Sequence, residues 1–187
     1  MTKTIRYNLI HFRHIRGCLT LDAAKTFMHA MIISHLTYCI TCWGQAGETA
    51  IKPLESLYKQ TLKALDRKSM QFHHCRILQK HHLLSFENVK LFSNLCLSFR
   101  ILNGLAPPPL RQFVHFRSEQ SIKSTRISST RDCSVPFRRS SFGQSAFTVK
   151  ATTQWNALPD SIKNCDSIGS FKNKLKNHLL DTQLCNH

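Results

Sequence analysis

The sequence predicts a mainly α protein, a helical bundle followed by a basic, partly irregular segment and then C-terminal helices. Apolar residues recur at helical spacing through most of the first 106 positions, and Gly and Pro punctuate those runs. Strand-like alternation is confined to two short stretches further on. With 187 residues and 42% hydrophobic content the chain is long enough to bury a core.

The first helix is set by Ile5, Leu9, Phe12 and Ile15, which share one face, while Arg6, His11, Arg13, His14 and Arg16 occupy the other. Thr20 or Asp22 caps the start of the second, whose period runs through Phe27, Met31, Ile32, His35, Leu36 and Cys39. Its segment Phe27 to Trp43 holds no Asp, Glu, Lys or Arg, but 17 residues is the short limit for a membrane span and His29 and His35 interrupt it. It reads as a buried core helix, with those two histidines in the core or at its boundary. Gly44 and Gly47 end the pattern, and Thr49 opens a third helix with Ile51, Leu54, Leu57, Tyr58, Leu62 and Leu65 inward. Ser85 caps a fourth, striped by Phe86, Val89, Phe92, Leu95, Cys96, Phe99 and Leu102, which Asn103-Gly104 closes before Pro107-Pro108-Pro109.

Residues 1–106 therefore form one helical bundle in this reading, 107–145 a basic Ser/Thr/Arg-rich connection, and 146–187 a C-terminal helical segment. The connection carries Arg111, Arg117, Lys123, Arg126, Arg131, Arg138 and Arg139 against Glu119 and Asp132. Alternating runs around Ile122 to Ile127 and Val135 to Phe142 suit a short β-hairpin. Phe113, Phe116, Phe137 and Phe142 are interleaved with the cations, so the segment is either a surface for unpaired bases and phosphates or a solvated loop anchored by its aromatics. In the last part, Phe147, Ala151, Trp155 and Leu158 share a helical face, Pro159 turns the chain, and Ser167 caps a final helix. That helix has Ile168, Phe171, Leu175 and Leu179 inward and Lys172, Lys174 and Lys176 outward.

Charge narrows the function. Lys and Arg number 26 against 10 Asp and Glu, a formal +16, which implies self-repulsion unless a polyanion is present; nucleic acid is the usual one. The eight cysteines lack regular spacing and no secretory signal peptide precedes them, which points to free thiols in a reducing compartment, cytoplasmic or nuclear. Cys39 and Cys42 have zinc-ligand spacing, and His73-His74-Cys75 offers further ligands. A single CxxC at the end of an apolar run nevertheless favours packing, so no metal and no cofactor is expected.

A set of blocks in order runs along nearly the whole chain: His35-Leu36-Thr37-Tyr38-Cys39, Trp43-Gly44, Leu54 with Leu57 to Gln60, and Leu102-Asn103-Gly104-Leu105-Ala106-Pro107. Thr125-Arg126, Trp155-Asn156 with Leu158-Pro159, and Ser170-Phe171-Lys172 complete it. This order resembles the C-terminal part of LINE-type, non-long-terminal-repeat retrotransposon reverse transcriptases. The resemblance implies that residues 1–106 correspond to a thumb-like bundle and the remainder to the region after it, with fingers, palm and endonuclease upstream.

Polymerisation on two metal ions needs converging carboxylates, which such enzymes supply partly as adjacent aspartates. This sequence has no Asp-Asp pair, no Gly-rich phosphate loop, no Gly-x-Ser-x-Gly and no HExxH. The expectation is thus a non-catalytic fragment or remnant that binds RNA or an RNA/DNA hybrid, with DNA as a second choice, without base specificity and without a membrane. Arg6, Arg13 and Arg16 on the first helix and Arg117, Lys123, Arg126, Arg131, Arg138 and Arg139 in the connection would carry the phosphate contacts. The parent's palm domain is a further partner in this reading. The alternative is a protein-interaction module whose basic faces meet an acidic partner.

Overall fold

A computed structural model describes residues 1–119 and 131–183. The chain divides into two compact units, Met1–Val89 with Gln183, and Lys90–Thr182. The change of composition falls at Pro107, whereas the units divide inside a helix, between Val89 and Lys90. Among the described residues the fold is mainly α, with no strand.

The first unit is built on α1 (Thr2–Ile15), α2 (Leu21–Met28), α3 (Ser34–Thr37), α4 (Ile40–Trp43), α5 (Glu48–Leu65) and α6 (His74–His81), and it takes in the start of α7 (Phe86–Leu102). Helix α5 is its centre, packed by α1, α2 and α6. The stripe Ile51, Leu54, Leu57, Tyr58, Leu62 and Leu65 is buried throughout, as its period predicts. Tyr58 also satisfies its hydroxyl at depth by donating to the Leu84 carbonyl, and burial pushes its pKa up. Ile5, Leu9 and Phe12 of α1 face this core, Phe12 stacking on Phe27. Ile15 is exposed, because it ends the helix where a 3-10 turn, Arg16–Cys18, begins.

The segment Phe27 to Trp43 is not one core helix. Met28, Ile32, Leu36 and Ile40 are buried at four-residue spacing. An α-helix would rotate such a row off its face, but a π turn at His29–Ile33 widens the winding and keeps the row in register. At Tyr38 the backbone extends and Cys39 takes φ 50, so the chain breaks between α3 and α4. Two further expectations fall with this geometry: His29 and His35 lie on the exposed side, and Cys39 and Cys42 are exposed instead of packed. Among the described residues no helix is long and apolar enough to cross a membrane.

Free thiols are found at Cys18, Cys39, Cys42, Cys96, Cys133 and Cys165, whereas Cys75 is disulfide-bonded, which corrects the expectation of free thiols throughout. Irregular cysteine spacing carries no pairing information, so this bond was not legible.

The second unit holds most of α7, then α8 (Ser141–Gln144), α9 (Phe147–Asn156), α10 (Asp160–Lys163) and α11 (Ile168–Thr182). Its core is an aromatic triad in which Phe99 stacks on Phe171 at 4.4 Å between centroids and Trp155 stacks on Phe171 at 5.8 Å. Leu95, Leu175 and Leu179 are buried in the same unit. Ser167 caps α11 by accepting from the Ser170 amide, and Gly104, at φ 69, ends α7 in the left-handed conformation a glycine adopts without strain. Of the expected hairpin, the half at Val135 to Phe142 forms no strand among the described residues and is largely irregular before α8; its other half, Ile122 to Ile127, lies outside the described residues. An antiparallel bridge joins Phe116 to Cys133.

Candidate nucleic-acid interface

In the first unit the end of α1, the 3-10 turn after it, the last turn of α5 and the loop that follows enclose a cleft of about 510 Å³. Arg13, Arg16, Lys63, Arg67 and Lys68 line it with His14, and no carboxylate does. Each cation is placed by a local device. Arg16 donates from Nε to the Leu65 carbonyl at 2.7 Å and from Nη1 to the Leu19 carbonyl at 3.0 Å, tying the turn to the C-terminus of α5. Lys63 donates from Nζ to the Met70 carbonyl, which folds the loop back over the helix end. Arg13 reaches Gln60 Oε1 at 3.3 Å, and Lys68 Nζ stands 5.2 Å above the Phe72 ring.

The exit from α5 explains Arg67. The Arg67 amide donates to the Ala64 carbonyl and the Lys68 amide to the Lys63 carbonyl, the paired bonds of a Schellman ending. Arg67 therefore holds the left-handed position, φ 53, that glycine usually fills. The neighbouring carboxylate, Asp66, is turned to Lys80 at 2.6 Å and His81 at 3.1 Å. The positive field extends along α5: burial first, then the charges of Lys59, His73 and Lys63, holds His74 below its ordinary pKa.

Of the residues singled out by sequence, Arg13 and Arg16 meet in this cleft, whereas Arg6 is exposed elsewhere on α1. Lys63, Arg67 and Lys68 were missed; the cationic run directly after the stripe of α5 was the available signal. In the second unit Arg117, Arg138 and Arg139 are exposed. Arg131 differs, since it donates from Nη1 to the Lys163 carbonyl at 2.9 Å and so braces the fold. Lys123 and Arg126 lie outside the described residues.

A second cavity, of about 640 Å³, lies within the second unit between residues 112–115 and 134–138 and the start of α9, with Phe113, His115 and Arg138 among its walls. The two strands of chain beside it are held by main-chain bonds from Arg117 to Asp132 and from Ser134 to His115.

Among the described residues the one group that could hold a metal ion is His73, His74 and Cys75, whose ligand atoms lie within 4.8 Å of one another. The Cys75 sulfur is committed to its disulfide and offers no thiolate in this state, and Cys39 and Cys42 do not join the group. Carboxylates come together at Lys163, whose Nζ lies 2.9 Å from Asp132 and 3.7 Å from Asp160, so a lysine stands where a cation would. Comparison with protein-family models, with curated proteins and with solved structures gives no match.

Proposed function

We propose that the chain is a non-catalytic, thumb-like and post-thumb segment related to LINE-type reverse transcriptases, and that it binds RNA or an RNA/DNA hybrid through phosphate contacts without reading base sequence. The observation that carries the binding is the cleft between α1 and α5, where five lysine and arginine side chains converge with no lining carboxylate. Phosphate oxygens fit such a site because arginine forks and lysine ammoniums bind them as charge-assisted pairs. The absence of a catalytic role is supported by the carboxylates, of which Asp66 and Asp132 are engaged by cations of the chain itself.

Fluorescence anisotropy across a salt series tests the binding. Each cation that meets a phosphate contributes about −0.7 to the slope of log affinity against log salt on a single strand and about −0.9 on a duplex, so five contribute about −3.5 and −4.5. Neutralising Arg13, Arg67 and Lys68 together to Gln should flatten the slope by about 2 to 3. A parent chain with no salt-sensitive binding overturns the proposal. Salt-sensitive capture of an acidic protein in its place would favour the interaction module.

A further inference from the structure

The second unit carries a feature that phosphate binding does not require. Phe137 and Phe142 are 80% and 89% exposed, and Arg138 and Arg139 sit between them in the chain. Burying such rings would stabilise the fold, so two rings left in water beside cations mark a surface that something else covers. Arg138 is held there by α8: Gln144 donates to its carbonyl at 3.4 Å, and a Cβ on Gly143 would come within 3.0 Å of the Arg138 Cβ. The same arginine lines the 640 Å³ cavity, whose volume falls in the range of about 300–1,000 Å³ typical of small-ligand sites. Phe113 and His115 bring aromatic rings to the wall of that cavity, and Gln112, Ser134 and Thr148 bring groups that donate and accept hydrogen bonds.

We infer that this cavity takes one unpaired nucleotide of a single-stranded nucleic acid, its base against Phe113 and His115 and its phosphate on Arg138, with Phe137 and Phe142 stacking the neighbouring bases. The occupant follows from the chemistry. Ring faces suit any base, the polar groups suit base edges, and exposed Arg111, Arg117, Arg138 and Arg139 suit the backbone. A duplex keeps its bases stacked on one another and presents none to the cavity, so the site selects single strands. This rests on the reading of the chain as a nucleic-acid binder and adds the form of nucleic acid it prefers.

The test compares the full chain on a labelled single-stranded RNA of about 12 nucleotides and on a duplex of the same length, within the site sizes of such surfaces. The parent should prefer the single strand. Phe137→Ser with Phe142→Ser, both exposed and so removable without opening the core, should weaken single-strand binding by about 5- to 100-fold and leave duplex binding within about twofold. Phe113→Leu with Arg138→Gln, which keeps the cavity wall apolar, should do the same while the helical circular dichroism stays that of the parent. Equal loss on both nucleic acids, or single-strand binding unchanged in both variants, overturns the inference while the cleft proposal stands. A parent that binds neither nucleic acid overturns both.

Discussion

The side-chain amide of Asn156 is paired at both ends with the main chain of Cys133, accepting from its N–H at 2.7 Å and donating to its carbonyl at 3.0 Å. It acts as a one-residue strand for a segment that also bridges to Phe116. The two residues before Cys133 are held from the same part of the chain: the Trp155 indole donates to the Arg131 carbonyl at 2.8 Å, and Lys163 pairs with Asp132 at 2.9 Å. The Trp155-Asn156 pair, prominent in the sequence, thus works as a clamp on residues 131–133.

Replacing Asn156 by Leu should cost about 2 to 4 kcal/mol, because two main-chain groups of the fully buried Cys133 lose a partner at once. Denaturant midpoints measure this. A midpoint equal to that of the parent would show that the clamp is not needed.

Lys163 is 3% exposed, and its ammonium is satisfied by Asp132 and by the Asn156 carbonyl. Lys163→Met should destabilise by about 3 kcal/mol by leaving Asp132 without its cation, and Lys163→Met with Asp132→Asn should recover part of that loss. A double variant no better than the single one would show that the carboxylate is not what Lys163 supports.

Phe99→Ala and Trp155→Ala should each cost about 3 to 5 kcal/mol, since both side chains are buried in the stack around Phe171 and each deletion leaves a cavity. Midpoints within error of the parent would place this triad outside the folded core.

How far the sequence reveals the fold depends on the distance over which each feature is decided. The stripes of α5 and α11 are local, set by residues three and four apart, and they bury the side chains their period picks out, save Ile168 at the start of α11, which is half-buried. The outward turn of His29, His35, Cys39 and Cys42 comes from a π turn and a left-handed residue, neither of which has a residue signature in that apolar run. Helix α6 is short and polar, and its place is decided by Ile77 and Leu78 packing on the core rather than by a long period. The hold on residues 131–133 was equally hidden, because their partners are side chains of α9 and α10, 23 to 31 positions away. At the interface, Arg13 and Arg16 were visible as one face of a helix, but their meeting with Lys63, Arg67 and Lys68 is a tertiary event between segments about fifty positions apart, and periodicity does not reach that far.

Asp66 gives a pH dependence with a defined sign. Burial raises its pKa, but the hydrogen bonds and charges of Lys80 and His81 outweigh burial and hold the carboxyl below its ordinary value. A group depressed on folding contributes stability that is fully present above its unfolded pKa and disappears as pH falls through the folded one. Asp66→Asn should therefore cost on the order of 1 to 2 kcal/mol at neutral pH, with the gap to the parent constant down to about pH 5 and closing below about pH 4. A gap that persists at pH 2 would mean that the carboxylate charge is not the cause.

Arg67 joins stability to binding. A residue other than glycine in the left-handed region costs about 1 to 2 kcal/mol, and glycine returns about 0.5 to 1 of that through the entropy of the unfolded chain. Arg67→Gly at φ 53 should thus raise stability by about 0.5 to 1 kcal/mol, while removing one cation from the cleft and one phosphate contact. The single-strand salt slope should become shallower by about 0.7. Arg67→Gln should lose the same slope without the gain in stability, which separates charge from backbone. Lower stability in Arg67→Gly would show that the helix exit is unstrained with arginine in place, and an unchanged slope would remove Arg67 from the phosphate contacts. A more stable, weaker-binding glycine variant would show that strain at the end of α5 is kept for the sake of the cation it places.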